Sequence, residues 1–142
     1  MIYLDTSILV AYYCPEALSE QAEQILRTQI RPALSELVEV ELFSAVARKV
    51  REGGLSSVDA KRLMTQFLTH VQDGFYTRIS VEPLHFHKAR DWISILETPL
   101  RTFDALHLAI ADSKKLCLVT ADKTLANAAN TFEVNVQFLA LP

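Results

Sequence analysis

The chain has 142 residues, half of them apolar and only three glycines, which suits one domain with a real core and excludes low complexity and disorder. Its net charge of −3 excludes a simple basic nucleic-acid clamp but not a nucleic-acid enzyme, because carboxylates gathered round a cation lower the count by themselves. No apolar run approaches the roughly 20 residues of a membrane span, and the N-terminal one holds Asp5 and lacks a basic lead, so neither membrane anchor nor signal peptide is expected. Cys14 and Cys117 lack metal-type spacing and read as reduced thiols of a cytoplasmic protein.

Taken in order, Ile2-Tyr3-Leu4 reads as a short buried strand closed by Asp5, and Thr6 to Tyr13 as an apolar helix stopped at Cys14-Pro15. A second helix is expected from Glu16, with Leu18, Ala22, Ile25 and Leu26 on one stripe. Pro32 to Ser35 is a short strand candidate, and Glu36 to Glu52 a long helix ended by Gly53-Gly54. Another amphipathic helix runs from Ser56 or Ser57 to about His70, broken by Gly74, before a strand over Tyr76 to Val81. Pro83 opens a helix to about Leu96. Thr102 is the expected cap of a helix from Phe103 to Lys115. Leu116 to Thr120 is a second clear strand, followed by a helix over Asp122 to Asn130 and a strand over Val134 to Leu139. This alternation predicts a single-domain, three-layer α/β/α sandwich over residues 1–142, with a mainly parallel central sheet.

Two strands end at or beside an acid, Asp5 and Asp122. In an open parallel sheet both lie at the carboxyl edge, where ligands bind. Each also reads as a helix cap. Glu41 sits on its helix among Leu37, Val38, Ser44 and Ala45, where a carboxylate loses hydration and no partner is in view. Asp104 lies in the first turn after Thr102, an address that helix polarity alone would favour. His107 reads as a helix-surface or boundary residue completing a hydrogen bond, with a metal-ligand role as the lesser alternative. Four carboxylates drawn together would repel unless a cation neutralised them, and hard oxygen donors select Mg²⁺ or Mn²⁺. Such a cluster suits phosphoryl chemistry on a metal-activated water.

The pieces Tyr3-Leu4-Asp5-Thr6-Ser7, Val38 to Ala45, Phe103 to Ala109 and Leu118 to Asp122 occur in an order and spacing that resembles the PIN domain, most closely the small VapC-type toxins. The resemblance implies a PIN-like nuclease domain whose acidic site is Asp5, Glu41, Asp104 and Asp122. Asp5 and Asp104 would be the closest ligands of Mg²⁺ or Mn²⁺; Glu41 and Asp122 would bind directly or through water, or position the attacking water. Ser7 and Thr120 match small polar positions beside the acids. The implied activity is metal-dependent endoribonuclease cleavage of RNA. The implied partners are a cognate VapB-like antitoxin and a second copy in a homodimer. Candidate groove cations are Arg48, Arg101, Lys114, Lys115 and Lys123, each singly an ordinary surface charge. Two other readings remain: a PIN-like binding module without catalysis, and a phosphatase of the haloacid-dehalogenase kind, which would want a second Asp where Ser7 stands.

Overall fold

In the computed structural model, which describes residues 1–142, β1 (Ile2–Leu4) is the middle strand of a five-stranded sheet. The chain continues through α1 (Thr6–Tyr13), α2 (Ser19–Thr28), β2 (Ala33–Ser35), α3 (Glu36–Arg51), α4 (Ser57–Gln72) and β3 (Thr77–Ile79). It finishes with α5 (Pro83–Ser94), α6 (Thr102–Ser113), β4 (Cys117–Thr120), α7 (Lys123–Thr131) and β5 (Val136–Phe138). The strand order is β3-β2-β1-β4-β5 and every pairing is parallel, so the sheet is parallel throughout. The strands are only three or four residues long and almost entirely apolar in β1, β2 and β4, as strands covered on both faces must be.

Parallel strands require crossovers, and right-handed ones put α1 to α4 on the face traversed while the chain moves from β1 to β3. The return to β4 and β5 carries α5 to α7 on the other face, completing the three layers. Tyr3, Leu4, Leu34, Leu118 and Val119 of the sheet are fully buried. Ile8, Leu9, Val38 and Phe67 close over one side, and Leu108, Ile110 and Leu125 over the other. The chain leaves β1 toward β2 and leaves β4 toward β5, so the carboxyl ends of these neighbours form the switch-point crevice of an open sheet.

Local chemistry shifts some boundaries from those expected. Helix α2 starts at Ser19 rather than Glu16, because Ser19 Oγ accepts the Glu16 amide at 2.8 Å and donates to the Cys14 carbonyl at 3.1 Å, closing a turn first. Thr102 is the first residue of α6 and not its cap; Arg101 occupies the cap position without a side-chain bond. Gly53, with φ of +80°, ends α3 in the left-handed region that a side chain disfavours. Cys14 and Cys117 are unpaired. No helix is long and apolar enough to cross a membrane.

His85 ties α5 to α6. Its Nδ1 accepts the Glu82 amide at 2.9 Å, and its Nε2 donates at 3.0 Å to Ser113 Oγ, which donates in turn to the Ile110 carbonyl. Since Nδ1 accepts, a second proton there would set donor against donor. Burial, foremost, pushes the His85 pKa below its ordinary 6.5. The stability it contributes is therefore complete above that ordinary value and is lost as pH falls through it toward the lowered one. Denaturant unfolding at about pH 7.5 and about pH 5 should show wild type losing stability over the interval. His85→Asn, which keeps an acceptor at the δ position and does not titrate, should lose less.

Candidate active site

Asp5 is the first residue beyond β1, and its amide donates to the Val119 carbonyl at 3.2 Å, continuing the ladder to β4. It stands at the cap position of α1, yet its side chain makes no cap bond. One oxygen accepts from Ser7 Oγ and the other from Thr120 Oγ1, the latter at 2.6 Å. Each hydroxyl also accepts a backbone amide: Ser7 that of Ala121 and Thr120 that of Asp122, both at 3.0 Å. Two amides of the loop after β4 thus reach one carboxylate through one hydroxyl each. Asp5 is 5 % exposed, and burial raises its pKa against the opposing pull of those two hydroxyls.

Glu41 comes from α3, across the crevice. The side chain has the partners that its helical neighbours could not supply. Its Oε1 accepts from Thr6 Oγ1 at 2.8 Å and from His107 Nε2. His107 is buried at 2 % exposure, not at the helix surface as expected, because α6 packs with that side turned toward β1. Its Nδ1 meets the Tyr3 hydroxyl at 2.8 Å, and Tyr3 meets Ser35 Oγ at 2.9 Å. Burial pulls the Glu41 pKa up, but the hydrogen bond and charge of His107, with Thr6, hold it below the ordinary value.

Asp104, in the first turn of α6, has no such relief. Burial raises its pKa, and the charge of Asp122 raises it further, with Asp5 and Glu41 adding and His107 opposing. The charges of Asp122, Asp5 and Glu41 thus all bear on Asp104 at the carboxyl edge of the sheet. Asp122 also caps α7, its Oδ1 accepting from the amides of Thr124 at 2.9 Å and Leu125 at 3.3 Å. The cap reading thus holds for Asp122, which keeps Oδ2 outside those bonds, and fails for Asp5.

No three His, Cys, Asp or Glu side chains stand in metal-holding geometry. The donor set nonetheless suits a hard cation: it is all oxygen, and burial together with the neighbouring acids makes the Asp104 charge costly, a cost that nearby positive charge would lower. A groove of about 590 Å³ runs beside Glu41 and Thr6, lined by Arg48, Lys49, Arg51 and the half-exposed Phe103. Arg48 pairs with Glu52 at 3.0 Å, whereas Arg51 has no ion pair. Lys114 and Lys115 lie at the other edge of the sheet, where α6 ends before β4 starts, so they do not flank the acids. Tyr3, Thr6 and Ser35 were not singled out by sequence as parts of the site, and His107 was weighed there only as a metal ligand. Their signal was a phenol in a central strand and an imidazole on an alanine- and leucine-rich helix, each of which needs a buried partner.

The PIN domain family model matches residues 2–130, a span that contains all four acids together with Ser7 and Thr120. A search of the curated proteins found no match. Among solved structures, FitAcB from Neisseria gonorrhoeae is 20% identical with a TM-score of 0.72, covering 98% of this chain and 97% of that one. VapC20 of Mycobacterium tuberculosis, described as a sarcin–ricin loop cleaving toxin, is 18% identical with a TM-score of 0.70, covering 90% and 95%. A toxin–antitoxin complex from Klebsiella pneumoniae is 18% identical with a TM-score of 0.66, covering 89% and 91%. At these identities the likeness is one of fold.

Asp5 and Asp104 should respond oppositely to neutralisation. Asp104 has a raised pKa and no hydrogen bond to lose, so its charge lowers stability above that raised value and ceases to do so below the ordinary 3.8. In metal-free protein at neutral pH, Asp104→Asn should raise the melting temperature by about 1–4 °C. Asp5→Asn should lower it, since an amide group would face a hydroxyl already oriented to donate. Thermal melts of the two variants in chelator check both signs.

Proposed function

The chain belongs to the PIN domain family, and from that premise we propose that it is a metal-dependent endoribonuclease, the toxin of a VapBC-type toxin–antitoxin pair. The observation that supports this reading is that Asp104 feels the charge of Asp122, Asp5 and Glu41, with Asp5 and Asp122 following the paired strands β1 and β4. Mg²⁺ or Mn²⁺ would be held most closely by Asp5 and Asp104, with Glu41 and Asp122 binding directly or through water. When bound, the ion supplies an activated water and positive charge at the phosphodiester. Ser7 and Thr120 keep the buried Asp5 carboxylate in one orientation, and Asp122 joins the site while anchoring α7.

RNA as substrate accords with the groove beside Glu41. Arg48, Lys49 and Arg51 can follow a phosphate backbone, and Phe103 offers a face on which a base of a single strand can stack. The printed descriptions of VapC20 and of the Klebsiella complex support a cleaving toxin with an antitoxin partner. Leu84 and Phe86 of α5, with Ile95 and Leu96 just beyond it, are exposed apolar side chains suited to covering by an antitoxin or a second copy. A cytoplasmic location follows from this role. Ser7 stands where a haloacid-dehalogenase-like phosphatase would carry its second Asp, and it donates to Asp5 instead. The reading as a binding module without catalysis draws on one observation, that the acids as they stand do not enclose an ion.

Purified protein should cut a mixed RNA pool with Mn²⁺ or Mg²⁺ and stop in chelator, and Asp5→Asn should cut slower by about a hundredfold or more. Cutting that persists in the variant would indict a contaminant. Absence of both cutting and metal binding would favour the binding module. For the groove, Arg48→Gln and Arg51→Gln should each flatten the slope of log affinity against log salt by about 0.7, the share of one neutralised phosphate on a single strand. Unchanged slopes would move the RNA path elsewhere.

A further inference from the structure

Tyr3 lies in the central strand at 0 % exposure, where a phenylalanine would fill nearly the same volume without a polar atom. Its hydroxyl is instead one link of a chain: Ser35 Oγ at 2.9 Å, Tyr3 Oη, His107 Nδ1 at 2.8 Å, His107 Nε2 and Glu41 Oε1. The chain starts at the end of β2, crosses β1 and α6, and ends on an acid of the candidate site rather than on backbone. The proton inventory sets its direction at the Glu41 end. Ionised Glu41 only accepts, so Nε2 donates whether or not the ring is charged; Nδ1 accepts from the Tyr3 O–H when bare and donates to the Tyr3 oxygen when protonated. Thr6 delivers a second proton to the same Oε1 at 2.8 Å. Glu41 Oε1 is thereby held by donors from α1 and α6, the helices adjoining Asp5 and Asp104, while Oε2 takes no part in this clamp.

We propose that Tyr3 and His107 are positioning residues that lock the Glu41 carboxylate with Oε1 clamped and Oε2 presented to the acid cluster. The inference rests on the nuclease reading above for what Glu41 is positioned to do. Outer partners of this kind govern how well a carboxylate meets a metal or a water, because they remove its rotational freedom beforehand. A merely structural role would show as lost stability alone.

The test uses Tyr3→Phe, which deletes only the hydroxyl, His107→Leu, and His107→Gln, whose amide can donate from the ε position. Mn²⁺ titration, kcat and KM on an RNA that the wild type cuts, and melting temperature are measured for each. Tyr3→Phe and His107→Leu should weaken Mn²⁺ binding and lower kcat by about tenfold or more with KM within about twofold, and His107→Gln should recover most of both. Wild-type metal affinity and kcat in Tyr3→Phe and His107→Leu, whatever their melting temperatures, would overturn the proposal. So would His107→Gln behaving no better than His107→Leu. Nitrogen-15 spectra of metal-free wild type give a readout independent of activity: His107 should carry a proton on Nε2. A proton on Nδ1 that leaves Nε2 unable to donate would overturn the proposal even if the enzyme cuts RNA. A proton on Nε2 in a protein that neither binds metal nor cuts would uphold the clamp and remove the nuclease reading alone.

Discussion

A buried carboxylate at the junction of β1 and β4 is the constraint on which the rest of the site depends. Asp5 is withdrawn from water where the two strands end side by side, and an ionised group there is tolerated only with donors on its oxygens. Ser7 and Thr120 are those donors, and each hydroxyl is itself oriented by an amide of the loop after β4. The same loop carries Asp122. Strand pairing, loop conformation and the placing of two acids are therefore one structure, and a change in any member reaches the others.

Around that point the molecule treats its acids unequally. Asp5 and Glu41 are each held by two donors, Asp122 is held by the helix it caps, and Asp104 has burial and three neighbouring charges with no hydrogen bond in return. Such an arrangement is poor design for stability alone, because mutual repulsion of carboxylates favours the unfolded chain. It accords with a site that receives positive charge, in which three acids are held by hydrogen bonds and the fourth takes none.

The helices contribute through their ends and through what crosses between them. The starts of α1 and α7 lie at the carboxyl edge because each leaves a parallel strand there, and that of α6 lies there because α6 runs back to the beginning of β4. The partial positive charge at those helix starts favours anions at that edge. That partial charge opposes the repulsion among the acids.

Much of this was legible in the chain itself. Short apolar strands, alternating with helices and ending in Asp5 and beside Asp122, encode a parallel sheet and an acidic edge, since local apolar runs and their terminators are properties of neighbouring residues. Glu41 was legible as a misfit, a carboxylate among Leu37, Val38, Ser44 and Ala45, but its partners were not. Thr6 is 35 residues away and His107 is 66. Nothing local distinguishes a histidine that faces solvent from one that α6 turns inward, and the same holds for the Tyr3 hydroxyl. Lys114 and Lys115 looked like groove cations by charge alone, until the direction of α6 carried them to the far edge. Sequence by itself determined the elements, the order of the acids and the parallel architecture, because these follow from periodicity and from what ends each run. Tertiary packing decided which acid is clamped, which goes without a hydrogen bond and which also caps a helix, because hydrogen bonds and desolvation depend on neighbours that only the crossovers bring together.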